Sequence, residues 1–391
     1  MAHTFCPYRI CPIGAHSDHQ YGFVSGFAID KGIHLDYKPT SDDAVSLTST
    51  NFPGEQRFHI SQIPDKQSNW GDYLRGATQA LAHRYQLTHG LKGHFEGELP
   101  VGGLSSSASV IIAFLSALTY VNDIYLSPVD LIQIAQSAEN NYVGVNCGKL
   151  DQSCEVYSRK DHLLYLDTMD DSYELIPQNP SMRPYEIAIF FSGLERSLAG
   201  TAFNMRIDEL KSAAYALMAF SGMSYGQFSE ARLRHVPRAV FDDHKDKLPL
   251  NWMKRATHFY TEFDRVHAGA EAWRNGDIQE FGRLVFESGY SSIYNYETGS
   301  PQLIKLYEIM KDTTGIYGGR FSGAGFKGCC MALINPLHKN TIKNKVEAEY
   351  LRAFPLLEGK FSIHFCKTAD GVIIDELDTV IPKYAPVGVA L

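Results

Sequence analysis

The stretch LPVGGLSSSAS, Leu99 to Ser109, runs a proline and a glycine pair directly into a hydroxyl-rich helix start. Gly102 and Gly103 permit positive φ and close approach of a ligand. The amides of Ser105, Ser106 and Ser107 then fall in a first helical turn, where backbone donors lack intrahelical partners and the helix end attracts anions. Ala108 to Tyr120 is apolar on nearly every face (Val110, Ile111, Ile112, Phe114, Leu115, Leu118), which predicts a buried, rigid helix behind the loop. The segment reads as a phosphate cradle. Taken alone it also suits a flexible loop or an ordinary N-cap, so the rest of the chain must decide.

The chain has 391 residues, 44% hydrophobic and 20% charged, enough for two cored domains at about 100 to 200 residues each. A net charge of -8 and the absence of a long basic run exclude nucleic acid and anionic membrane as partners, so any phosphate binding is local. Seven widely spaced cysteines form no CxxC pair, and the odd count fits reduced thiols better than a disulfide framework or zinc site. The opening residues MAHTFCPYRICPIG resemble no export or transit signal, and no apolar run reaches membrane-spanning length. A cytoplasmic protein is expected; its oligomeric state is open.

Residues 24 to 60 alternate apolar and polar positions in short runs, which predicts a strand-rich opening region. Helical spacing marks Trp70 to Arg84 and Pro128 to Asn141, and Leu163 to Leu166 reads as a short strand. The polar tract Asp167 to Pro184, with Pro177, Pro180 and Pro184, looks like a joint. It divides the chain into expected domains 1–180 and 181–391. Phe203 to Tyr290 is helical in pattern, and strands resume after Tyr317, near Phe361 to His364 and at Val372 to Ile374.

Three further motifs carry chemistry. PYRICPIGAHSDHQYG (Pro7 to Gly22) gathers Arg9, His16, Asp18 and His19 around a Pro-Ile-Gly turn. A carboxylate that accepts two hydroxyl bonds beside a forked cation suits sugar recognition, although a polar surface turn has the same composition. CGKLDQ (Cys147 to Gln152) places Asp151 after a glycine turn, with Glu139 upstream; a plain helix cap is the alternative. YGGRFSGAGFKGCCMALI (Tyr317 to Ile334) has five glycines, which permit close packing on a ligand or on the first glycine loop.

In this order and spacing the four motifs resemble those of the GHMP small-molecule kinases, in the galactokinase branch, over nearly the whole chain. The family's GRVNLIGEHTDY appears as YRICPIGAHSDH, its phosphate motif as PVGGLSSSAS, its MDQ as LDQ and its third motif as SGAGFKGCC. WGDYLRGA (Trp70 to Ala77) and GDIQEFGRLVFESGYSS (Gly276 to Ser292) are similar to further family segments. The resemblance implies an α+β, two-domain GHMP kinase fold, with an N-terminal ribosomal-S5-like domain, a C-terminal ferredoxin-like domain and the active site in the cleft between them. It implies phosphoryl transfer from ATP, with Mg²⁺, to the anomeric hydroxyl of a sugar. By that resemblance Asp151 is the base or orienting carboxylate and Arg9 lies beside it. Gly102, Gly103, Leu104, Ser105, Ser106 and Ser107 wrap the phosphates, Trp70 lies near the nucleotide, and Ser107 and Glu139 match the magnesium positions.

The departures concern the sugar. Ala15 stands where the galactokinase signature has the glutamate that contacts the hexose C6 hydroxyl. Losing it removes a negative charge and opens space, the pattern of a kinase for a uronic acid such as D-galacturonate; D-galactose is the alternative substrate, and a non-catalytic sugar and ATP sensor a remote one. His16 and Asp18 are expected to keep the hydroxyl contacts. His19 and Lys327, where the family has tyrosine and glycine, are candidate partners for the carboxylate. Phe203 stands where the family often has a sugar-contacting tyrosine, Glu195-Arg196 where it has Arg-His, and Gly289 where it has histidine.

Overall fold

A computed structural model describes residues 1–194, 200–224 and 226–376. Its hub is the 17-residue strand Phe23–Pro39, too long to be covered by one partner. Along its outer half it pairs with Leu91–Gly97, along its inner end with His162–Asp167, and on its other edge with Ala2–Ile10, all antiparallel. Ala44–Ser49 adds to Leu91–Gly97 in parallel, and Gln56–His59 closes that side of a nine-stranded sheet. The chain after Cys366 returns to this sheet: Thr368–Ala369 pairs with the hub and Ile373–Glu376 with Ala2–Ile10. That return covers a strand edge that would otherwise present unpaired backbone. Glu195 and Arg196 lie outside the described residues.

One face of the sheet carries the helices Gly71–Ala82, Ser106–Val121, Pro128–Ser137 and Leu150–Tyr157. Ser127 accepts from the Asp130 amide and precedes Pro128, the expected start signals for the third of these. Every residue from Ala108 to Thr119 is buried, as its all-round apolar pattern predicts, and Phe114 packs among Leu35, Leu47, Leu74 and Phe95. The second half builds a four-stranded antiparallel sheet in the order Ser362–Cys366, Glu186–Phe191, Cys329–Ile334, Ile316–Phe321. Helices Ile278–Tyr294, Pro301–Lys311 and Lys339–Ala353 pack around it. The helices Gly200–Phe220 and Leu250–Arg274 form a separate apolar cluster through Leu210, Leu217, Phe259 and Tyr260.

The polar tract expected as a joint contains the strand Tyr173–Pro177, hairpinned onto His162–Asp167. Its apolar positions are too few to announce a strand, because only Ile176 is fully buried and Leu175 half-buried while Tyr173 and Glu174 stay exposed. All seven cysteines are free thiols. Among the described residues no helix is long and apolar enough to cross a membrane.

The Ser106–Val121 helix is the rigid base of the glycine loop. Phe114→Ala should therefore cost about 3 to 5 kcal/mol in urea unfolding. A loss under about 1 kcal/mol would show that the surrounding core relaxes into the space.

Candidate active site

Arg9, at the end of the first strand, is 4% exposed, and three chain segments converge on it. Its Nε donates to Asp151 Oδ1 at 2.6 Å and its guanidinium donates to the Gly103 carbonyl at 3.1 Å. Burial opposes the charge on Arg9, and the Asp151 carboxylate more than offsets it, so the guanidinium pKa is raised. Asp151 sits in the first turn of Leu150–Tyr157, but its carboxylate faces Arg9 and Ser105 and does not cap the helix.

The glycine loop departs from expectation at one residue. Ser105 is the left-handed N-cap (φ 58°) and the helix starts at Ser106. That turn aims the Ser105 hydroxyl at Asp151 Oδ2, to which it donates. Ser105 thus joins the Arg9–Asp151 pair, while the amides of Ser106 and Ser107 remain at the helix start. Gly102 and Gly103 have φ of 128° and 90°. The five-glycine motif packs on them: a Cβ on Gly328 would lie 2.7 Å from the Gly102 carbonyl carbon, and one on Gly103 2.6 Å from Cys329 Sγ. Of the two roles open to that motif, support of the first loop is the one its backbone contacts favour. Ser192 holds it in place by donating from both amide and hydroxyl to the Gly328 carbonyl.

An open hollow of about 580 Å³ is lined by Thr48 to Gly54. Asn51 exchanges two hydrogen bonds with Gly97, on the strand that feeds the glycine loop, so hollow and loop are mechanically continuous. Trp70 backs its wall, donating from Nε1 to the Pro53 carbonyl and stacking near Phe52.

Glu139 is buried in a π-helical turn, Ala138–Val143, an element that recurs at functional sites. Gln152 Nε2 donates to its Oε2 at 2.6 Å, and Gln152 Oε1 is buried without a hydrogen-bond partner. Ser107 stands half-buried one residue into the helix from Ser106. One carboxylate and one hydroxyl are hard-oxygen donors that suit Mg²⁺ shared with phosphates, and no cluster of three or more metal-ligating side chains occurs among the described residues.

The turn Ile13–Asp18 carries the sugar-recognition candidates. Asp18 accepts from the Leu150 amide at 3.3 Å; burial, and then the Asp151 charge, push its carboxyl up to about 6. His16 has φ 65°, stacks on Tyr296 with centroids 4.2 Å apart, and keeps a buried Nε2 with no partner. Burial, then Arg320, lowers the His16 pKa well below its usual value, so the ring is neutral. His19 is likewise buried and held down to about 3, with Nε2 3.3 Å from the Tyr296 hydroxyl. It therefore offers no positive charge to a carboxylate. Phe203 meets the His19 ring edge-on at 6.1 Å. Lys327 is exposed on the five-glycine loop, next in sequence to Gly328, whose backbone packs on Gly102. Gly289 makes room for Tyr307 and Arg320, since a Cβ there would lie 2.7 Å from the tyrosine ring.

Sequence reading missed the residues that hold this turn from behind. Glu262 accepts from the Gly14 amide at 2.6 Å and His258 Nε2 lies 3.0 Å from the Ala15 carbonyl. Their four-residue spacing on one helix was a signal, but a single chain gives no hint of which loop a helix face meets.

Residues 72–159 match the GHMP kinases N terminal domain and residues 270–352 the GHMP kinases C terminal domain. The chain is 39% identical to a galacturonokinase of Arabidopsis thaliana, covering 93% of this chain and 91% of that protein. It is 32% identical to a galactokinase of Roseiflexus sp., covering 94% and 91%. Its fold superposes on the crystal structure of Lactococcus lactis galactokinase complexed with galactose with a TM-score of 0.86 at 28% identity, covering 95% of this chain and 94% of that one.

The raised Asp18 carboxyl generates a pH dependence. The native state keeps the proton up to about pH 6, whereas an unfolded aspartate loses it near pH 4, so native stability falls as the pH rises between those values. Asp18→Asn should flatten that fall in denaturant titrations at about pH 4 and pH 7. Parallel profiles for the two proteins would show that Asp18 ionises normally.

Proposed function

The chain belongs to the GHMP kinase family, as a sugar kinase of the galactokinase branch, and from that premise we propose that it transfers the γ-phosphoryl group of ATP to the anomeric hydroxyl of D-galacturonate. The products are galacturonate 1-phosphate and ADP. The observation that carries the choice of sugar is Ala15, on a turn whose neighbour Asp18 contacts the segment carrying Asp151. A glutamate at that position would repel a C6 carboxylate by roughly 4 kcal/mol at a separation of about 4 Å and an effective dielectric of about 20. Alanine removes that repulsion. The similarity to the Arabidopsis galacturonokinase supports the same reading.

The site residues take these roles in the proposal. Asp151 orients the C1 hydroxyl and accepts its proton, while Arg9, hydrogen-bonded to that carboxylate, offsets negative charge at the reacting centre. Ser105 fixes the second Asp151 oxygen. The backbone from Gly102 through Ser107 wraps the phosphates, with the Thr48–Gly54 hollow and Trp70 receiving the base. Ser107 and Glu139 hold Mg²⁺, which supplies neutralisation of phosphate charge. Catalysis then rests on positioning and electrostatics, as phosphoryl transfer generally does. His16 Nε2 and Asp18 bond the sugar hydroxyls, and Phe203 contributes a ring face where no hydroxyl is available. The proposed lobe division lies in the Asp167–Pro184 tract, and a cytoplasmic setting fits an ATP-dependent sugar kinase.

ADP release should be compared across D-galacturonate, D-galactose, D-glucuronate and D-glucose. The reading predicts the highest kcat/KM for galacturonate, and Ala15→Glu should lower it at least tenfold more for galacturonate than for galactose, given the roughly 4 kcal/mol repulsion above. Preference for galactose in the natural chain would make it a galactokinase; equal loss on both sugars would remove Ala15 from substrate choice. Sugar binding with no turnover would point to a sensor.

A further inference from the structure

The helix Leu250–Arg274 lays a single stripe against the recognition turn and engages it residue by residue. His258 Nε2 lies 3.0 Å from the Ala15 carbonyl. One turn on, Glu262 Oε1 accepts from the Gly14 amide at 2.6 Å. Val266, one turn further, fills the space beside Gly14, where a Cβ would approach its Cγ2 to 3.0 Å. Gly269 then admits Ile13, whose Cδ1 lies 2.6 Å from where a Cβ would stand. The i, i+4, i+8 spacing puts all three side chains on one helix face, so His258 holds Ala15 while Glu262 and Val266 hold Gly14 from successive turns.

A second helix completes the frame. The Ser291 hydroxyl lies 2.9 Å from His258 Nδ1. Since the Ala15 carbonyl only accepts, Nε2 carries the proton and Ser291 donates to Nδ1, which fixes the ring's tautomer. Ser288 donates to Glu262, and the Glu262 charge is balanced by Arg265 at 2.7 Å and Arg320 at 3.6 Å. His258 and Glu262 are fully buried, so neither touches solvent and neither is free to turn. Next along the turn, His16 is seated on Tyr296 from the same half of the chain, with its Nε2 left unpartnered.

We propose that His258 and Glu262 are positioning residues for sugar recognition, acting through the Gly14 and Ala15 peptide groups to set where Ala15 and His16 meet the sugar. The inference rests on the assignment of this turn to the sugar, and it does not depend on which sugar is preferred. It separates the two substrates: among the described residues the hydrogen bonds of His258 and Glu262 run to the sugar turn and its supporting helices, and none runs to the glycine loop or the Thr48–Gly54 hollow.

The test is steady-state kinetics of His258→Phe, His258→Gln and Ser291→Ala, with thermal melting, using whichever of galacturonate and galactose the natural chain turns over. His258→Phe removes the donor to Ala15 and should raise the sugar KM about tenfold while the ATP KM stays within about twofold. His258→Gln can again donate to the carbonyl and should recover most of the sugar KM. Ser291→Ala, which leaves the ring in place with its tautomer unset, should give an intermediate rise and keeps the test open if the phenylalanine variant does not fold. Equal rises in both KM values, or no recovery by glutamine, would overturn the proposal in favour of a purely structural role. A sugar KM that does not move in either His258→Phe or Ser291→Ala would overturn it as well. Loss of the substrate assignment alone would leave the sugar-against-ATP split intact on the other sugar, so the two failures are distinguishable.

Discussion

The ion pair between Arg9 and Asp151 is the constraint on which the site depends. A guanidinium at 4% exposure is tolerable only with a charged partner and filled donors, and both are supplied from distant parts of the chain, Asp151 from a helix 142 residues on and Gly103 from the glycine loop. The first strand, the Gly102–Gly103 loop and the Leu150–Tyr157 helix must therefore arrive together. Removing Asp151 would strand the buried Arg9 charge at a cost of roughly 3 kcal/mol or more. The left-handed turn at Ser105 follows from the same requirement, since it brings a hydroxyl to the second Asp151 oxygen.

Around this pair, each substrate region is held by a different part of the fold. The phosphate loop is backed by the buried Ser106–Val121 helix and covered by the five-glycine loop, whose glycines allow backbone to lie on backbone. The sugar turn belongs to the N-terminal sequence but is fixed by helices of the second half. The turn that carries Ala15 and His16 is thus built from one half of the chain and fixed by the other.

Much of this was legible in the sequence, and the pattern of what was not is instructive. The Ser106–Val121 helix announced itself by apolar residues on every face, and the glycine pair by its place before a run of serines. Arg9 and Asp151 were placed together by motif resemblance, and the 2.6 Å contact agrees. The strand Tyr173–Pro177 was hidden because it buries so little. The return of Ile373–Glu376 to the first strand was hidden because edge pairing leaves no local signal. His19 read as a candidate partner for a carboxylate; the structure buries its ring beside Tyr296 and Phe203, and that burial holds its pKa down to about 3, which the sequence alone could not show. Glu262 and His258 looked like ordinary polar positions on a long helix; their importance comes from the tertiary contact alone.

The most direct measurement of the central claim is single-turnover phosphoryl transfer by Asp151→Asn with MgATP and saturating galacturonate, alongside calorimetric binding of the sugar. Asparagine keeps the shape and the acceptor facing Arg9 but loses the charge and the proton site. The account predicts a fall in the transfer rate of about 10² or more with sugar affinity changed only severalfold. A near-normal transfer rate would contradict it and take Asp151, and with it the Arg9 pair, out of the reaction.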